Sequence, residues 1–132
     1  VIDLARLYES GEDYLEMIHM LHLEHNFVRA VDIAHSMEVS KPSVSRAMGI
    51  LRDGGFIHVG DDGNITLTET GKEVAERIYE RHQVLTQWLV DIGVSEETAA
   101  EDACKLEHDI SIEAFECLKA HLRKSHPHVT LN

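Results

Sequence analysis

The sequence has no apolar run approaching the ~18–20 residues that a membrane-spanning helix needs. Its opening stretch, Val1 to Ser10, carries Asp3, Arg6 and Glu9, so it lacks the apolar segment of a secretory signal. Only two cysteines occur, Cys104 and Cys117, which make no disulfide framework and suit a reducing compartment. Together these absences point to the cytoplasm and to no membrane partner. No internal repeat, low-complexity linker, nucleophile–base pair or substrate-cradling glycine-rich loop is evident, so neither an enzyme nor a small organic substrate is expected.

Positive charge is also scarce. Twelve Lys and Arg stand against 24 Asp and Glu, for a net charge of −12. Duplex DNA is held largely by Lys and Arg neutralising phosphates, so the sum speaks against nucleic acid. The distribution speaks differently. Between Asn26 and Gly60, Arg29, Lys41, Arg46 and Arg52 face Asp32, Glu38 and Asp53, a local net of +1 that leaves −13 elsewhere. An acidic body with such a segment needs help to bind DNA, and bound cations or dimerisation would supply it.

At 132 residues the chain can form one compact domain, or a small domain with a helical appendage. Tyr14, Ile18, Leu21 and His25, with Leu15 and His22 beside them, predict an amphipathic helix over 12–25. Ile33, Ala34 and Met37 predict a second over 31–37. Ser40 is a suitable N-cap for a third, with Pro42 in its first turn and Val44, Ala47, Met48 and Leu51 on one face, stopped by Gly54-Gly55. Two β-prone runs, 56–59 and 64–68, flank a Gly60-Asp61-Asp62-Gly63 turn. A long helix over 69–92 presents Val74, Ile78, Leu85, Leu89 and Ile92. Ser95 and Ser111 begin two more. Cys117, among Ala114, Leu118 and Leu122, reads as a buried small hydrophobe.

Residues 30–68 thus read as helix, tight turn, helix and two-stranded wing, the order of a winged helix-turn-helix. Ala34 allows the helices to cross closely, and Val39 supplies the apolar residue after the turn. The second helix turns Lys41, Pro42, Ser43, Ser45 and Arg46 outward, and Arg29 lies just before the first. Arg46 suits a guanine edge, which a guanidinium pairs bidentately. Ser43 and Ser45 suit phosphates. The acidic wing tip argues against deep insertion into a groove.

In the acidic remainder, Cys104, Glu107 and His108 follow one another at helical spacing. Asp13 and Glu16, three apart, share a face of the first helix, and His82 sits midway along the long one. Each is an ordinary solvated residue when taken singly. Converging, they would make a competent site for a divalent transition metal. His19, His22, His25, His121, His126 and His128 read as solvated helix and tail.

From about Glu12 to Leu122 the chain resembles the diphtheria toxin repressor family of metal-dependent regulators, particularly its short two-domain manganese branch. The resemblance rests on Gly11-Glu12-Asp13-Tyr14-Leu15-Glu16-Met17-Ile18, Val31-Asp32-Ile33-Ala34 and Pro42-Ser43-Val44-Ser45. It continues through Leu67-Thr68-Glu69-Thr70-Gly71, Glu80-Arg81-His82 and Ala103-Cys104-Lys105-Leu106-Glu107-His108. It implies a mostly α protein, with a winged helix-turn-helix DNA-binding domain over 1–71 and an all-helical metal-binding and dimerisation domain over 72–132. Its metal ligands would be Asp13, Glu16, His82, Cys104, Glu107 and His108.

Two positions depart from a pure type. Manganese regulators usually carry glutamate where this chain has Cys104, and the iron-responsive branch carries methionine where it has Asp13. Thr86 and Ala100 stand where that branch has an ancillary carboxylate and imidazole, and the sequence ends before that branch's third, SH3-like domain. Carboxylates suit Mn²⁺, whereas a thiolate pulls toward Fe²⁺ or Zn²⁺. The expected cofactor is Mn²⁺, alternatively Fe²⁺, with Zn²⁺ accommodated, at one or two ions per protomer. The expected partners are operator DNA and a second copy of the chain. The alternative is a winged-helix regulator answering a non-metal signal.

Overall fold

A computed structural model describes residues 4–125, with side chains from Ser10 onward; Pro127, His126 and His128 lie outside the described residues. The order of elements is α1 (Leu4–Glu24), α2 (Ala30–Met37), α3 (Lys41–Asp53), β1 (Ile57–Val59), β2 (Ile65–Leu67), α4 (Glu69–Asp91), α5 (Glu96–Leu106) and α6 (Ile112–Ser125). The expected class, mostly α with a winged helix-turn-helix followed by helices, is the one observed. The chain divides into two compact units, residues 1–76 and 77–132. No helix among the described residues is long and apolar enough to cross a membrane.

The first unit is built on one apolar cluster. Tyr14, Leu15 and Ile18 of α1, Ile33 and Ala34 of α2, and Val44, Met48 and Leu51 of α3 are buried together with Val28, Ile57, Ile65 and Ala75. Each fully buried Ile or Val stabilises the fold by ~1.5–3 kcal/mol. The helix-turn-helix bend is closed by Glu38 in the left-handed region (φ 56°), with Val39 N–H donating to the Ala34 carbonyl at 3.1 Å. Val39 itself is 37% exposed, held at the rim by this C-terminal cap. α1 also begins earlier than the expected Glu12. Gly11, a weak helix former, is carried inside this longer helix.

Ser40 caps α3 by accepting from Ser43 N–H at 3.3 Å. The strands pair antiparallel with Ile57 opposite Leu67 and Val59 opposite Ile65. The wing is tied to the body at β2: Ile65 N–H donates to the Val28 carbonyl (2.8 Å), and His22 Nε2 donates to the Ile65 carbonyl (2.6 Å). His22 is therefore a structural donor and not a solvated residue. The entry to α4 is tight. Thr68 N–H donates to the Phe56 carbonyl, and a Cβ on Gly71 would stand 2.0 Å from that same oxygen.

In the second unit, Val84, Phe115 and Leu122 are buried, with Trp88, Ile110 and Leu118 packed against them. α5 is capped by Ser95, and the Ser111 hydroxyl accepts from Ala114 N–H at 3.0 Å before α6. Gly93 ends α4 with φ +107°. Ile92, one residue past the end of α4, is 63% exposed. One expectation fails here. Cys117 is exposed: the apolar stripe of α6 runs Phe115, Leu118, Leu122, one position away from the face assumed.

Candidate metal centre and DNA-reading helix

α4 places His82, the end of α5 places Cys104, and the turn beyond α5 places Glu107 and His108. Glu107 is the C-cap residue, its N–H still bonded to the Ala103 carbonyl (3.0 Å). His108 is already past the helix, so the spacing argument for a shared helical face holds only as far as that cap. Within this unit His82, Cys104 and Glu107 present one nitrogen, one sulfur and one oxygen donor, all within 4.8 Å of one another. His82 Nδ1 lies 3.0 Å from Glu107 Oε2 and 3.7 Å from Cys104 Sγ. His108 Nε2 approaches Glu107 Oε1 at 3.6 Å, with its side chain only 4% exposed.

The electrostatics follow from this packing. Glu107 is fully buried, and a buried carboxylate is costly unless a cation or donors attend it. Hydrogen bonding to Cys104, then to Glu107, pushes the His82 imidazole up to about 10, although burial works the other way. The metal-free protein therefore holds a proton on His82 at neutral pH. Glu107 Oε1 is buried and makes no hydrogen bond among the described residues. An anionic oxygen left in that state, beside imidazole and thiol, fits a divalent cation.

Asp13 and Glu16 lie on α1 of the first unit. Asp13 is half-buried, whereas Glu16 is 8% exposed, so its carboxylate is not the solvated face that spacing alone allows.

On the DNA-reading side, Lys41, Pro42, Ser43, Ser45 and Arg46 are all exposed at the N-terminal half of α3, as is Arg29 before α2. Ser40 Oγ donates to Ser43 Oγ at 2.8 Å. That bond uses an oxygen lone pair of Ser43 and leaves its own hydroxyl proton to give to a phosphate. The Arg29 guanidinium stacks over Phe27 at 4.7 Å, and its stem runs beside Gly63 of the wing turn (a Cβ there would lie 3.9 Å from Arg29 Cγ). Composition suggested neither the stack nor the Ser40–Ser43 pair.

Residues 6–64 match the N-terminal DNA-binding domain of the iron-dependent repressors, and residues 68–130 match their metal-binding and dimerisation domain. The chain belongs to the iron-dependent repressor family. It is 36% identical over 118 residues to an HTH-type transcriptional regulator of Methanocaldococcus jannaschii, covering 88% of this chain and 94% of that one. It is 36% identical over 116 residues to the transcriptional regulator MntR of Salmonella typhimurium, covering 88% and 74%. The solved manganese regulator SloR superposes with a TM-score of 0.78 at 27% identity, over 86% of this chain but only 53% of that one. The chain thus spans about half the length of that solved relative. Proteins of this family are metal-dependent transcriptional regulators, and the chain is one of them, not an enzyme. The first matched domain contains the locally +1 window between Asn26 and Gly60, and the second contains His82, Cys104, Glu107 and His108.

Proposed function

We propose that this chain is a cytoplasmic repressor that binds operator DNA as a homodimer when a divalent ion occupies a site drawn from Asp13, Glu16, His82, Cys104, Glu107 and His108. Mn²⁺ is the favoured ion, with Fe²⁺ next and Zn²⁺ accommodated. DNA is read by Arg46, with Lys41, Pro42, Ser43, Ser45 and Arg29 positioning the backbone, and the working division falls near residues 71–72. The observation that carries this reading is the convergence of the His82, Cys104 and Glu107 donor atoms around a buried carboxylate oxygen without a hydrogen bond. The manganese in the name of the solved relative SloR, and carboxylates in the ligand set, support Mn²⁺. Cys104 supports the softer ions.

The ion would supply the positive charge that Glu107 otherwise takes from the His82 proton. His82 gives up that proton to bind, and Cys104 binds as thiolate. If the ion is held more tightly in the DNA-competent arrangement, metal and DNA must raise each other's affinity by the same factor, about 5–150-fold for a coupling of ~1–3 kcal/mol. Reducing the negative charge of the acidic body also favours association with DNA.

The test begins with EDTA-treated protein titrated calorimetrically with Mn²⁺, with Fe²⁺ under anaerobic conditions, and with Zn²⁺. A duplex selected from a random pool by the metal-loaded protein is then tested with and without chelator. Binding lost in Cys104→Ala with Glu107→Gln, and DNA release by chelator, are the expected results. Metal-dependent DNA binding that survives Glu107→Gln and His108→Ala would overturn the ligand set. DNA binding indifferent to chelators would favour a regulator answering a non-metal signal.

A further inference from the structure

The turn that carries Glu107 and His108 lies where α5 has already ended, and helix-terminal carbonyls lack partners within their own helix. In this unit a side chain supplies one. Arg81, the residue before His82 on α4, is buried (8% exposed). Its Nη1 donates to the Glu107 carbonyl at 3.0 Å and to the Ile110 carbonyl at 2.8 Å. Its guanidinium lies 5.4 Å from the centroid of the Phe115 ring on α6. Within the turn, Asp109 and Ile110 N–H both donate to the Leu106 carbonyl. One guanidinium nitrogen therefore spans the segment that presents Glu107 and His108, and anchors it to the helix that presents His82. Ile110, at the far end of the span, packs against the Val84–Phe115–Leu122 cluster.

A buried guanidinium is costly unless its donors are met and its charge is attended. Here two of its bonds go to backbone oxygens of the ligand-bearing turn. Those bonds hold main-chain position, which decides where the Glu107 carboxylate points: fully buried and 3.0 Å from His82 Nδ1. We propose that Arg81 is a positioning residue for the metal centre, pre-forming the turn that carries Glu107 and His108 before any ion arrives. This rests on the reading of His82, Cys104 and Glu107 as ligands. Arg81 does not touch the ion; it acts through the main chain of two residues that would.

The experiment uses the full chain with Co²⁺ as the probe, because its visible absorption reports both occupancy and ligand geometry. Arg81→Met keeps the length and removes the donors. Its Co²⁺ affinity should fall about 10–100-fold, the range seen when partners that orient metal ligands are removed, and its absorption bands should change shape. Arg81→Lys, whose ammonium can donate to both carbonyls, should restore most of the affinity and the wild-type bands. Leu122→Val loosens the apolar cluster against which Ile110 packs but leaves both Arg81–carbonyl bonds in place; it should lower the thermal midpoint of the metal-free protein and leave the Co²⁺ spectrum and affinity unchanged.

Wild-type affinity and spectrum in Arg81→Met would overturn the proposal. So would a Leu122→Val variant that loses Co²⁺ binding in step with its stability. Hydrogen exchange across residues 106–112 of the metal-free wild type tests the same point without any substitution. Protection before Co²⁺ is added is expected, and free exchange until Co²⁺ is added would overturn pre-formation. If the wild type bound no Co²⁺, the ligand reading itself would fall, and the proposal with it.

Discussion

The proton on His82 makes a quantitative prediction for metal binding. Its pKa is pushed up to about 10 by Cys104 and Glu107, against 6.5 for an unperturbed imidazole. A cation ligates the neutral ring, so at pH 7 only about one molecule in a thousand offers His82 ready to bind. Each unit of pH from near neutrality up to about 9 should then raise the apparent affinity about tenfold through this group alone. The stability of the metal-free protein should run the other way. A raised folded-state pKa contributes stability that is fully present below about 6.5 and is lost as pH rises through about 10. The assay is Mn²⁺ calorimetry between about pH 6.5 and 8.5 in buffers of different ionisation enthalpy, which counts the protons released. His82→Ala should release about one proton fewer, and its affinity should climb less steeply with pH. Equal proton counts in the two proteins would refute the reasoning, because the cation would then be binding without displacing the His82 proton.

Three substitutions test the rest of the chain. Gly71→Ala places a Cβ 2.0 Å from the Phe56 carbonyl; forcing backbone apart in this way costs ~1–3 kcal/mol or more, which thermal unfolding should register as a drop of several degrees, and an unchanged midpoint would mean the approach is looser than described. Ser40→Ala removes the acceptor for Ser43 N–H and should destabilise by ~1 kcal/mol, measurable by denaturant titration. Arg46→Met should weaken binding to a selected duplex by ~1–3 kcal/mol and relax preference at one base pair, whereas Lys41→Met should weaken all duplexes alike and reduce the salt slope by about 1; the reverse pattern in binding assays across salt would exchange the roles of the two residues.

What was legible in the sequence is what side-chain chemistry and period announce. Ser40, Pro42, the paired glycines, the Gly60–Gly63 turn and the apolar spacing of Tyr14, Leu15, Ile18, Ile33, Val44 and Leu51 mark the helix-turn-helix and wing directly. His82, Cys104, Glu107 and His108 are conspicuous because of what they can ligate. The errors sit where the backbone decides. The left-handed cap that closes the bend falls on Glu38, and a glutamate carries no signal for φ of 56°. Cys117 is exposed because the inward stripe of α6 is Phe115, Leu118 and Leu122, which leaves position 117 on the solvent side. Arg81 gave no signal as a site residue, since an arginine in a charged helix looks like surface until its carbonyl partners 26 and 29 residues away are known.

The same distinction bears on how the metal centre works. In the metal-free protein, His82 with its proton already supplies a positive charge to Glu107 and a donor to the Cys104 sulfur. An ion taken up at the proposed site would therefore have to outcompete a proton for donors that are already assembled and charge-compensated. Its apparent affinity at neutral pH is the difference between two cations' fits to one set of donors. Anything that weakens the proton's fit without moving the donors should tighten metal binding with no new contact. Replacing Cys104 does not qualify, because the sulfur that raises the His82 pKa is itself a proposed ligand. The pin at Arg81 acts on the other side of the balance. It fixes where Glu107 stands but adds no donor to the ion, so its loss should loosen the site for the metal, which needs several ligands at once, more than for the proton, which needs one.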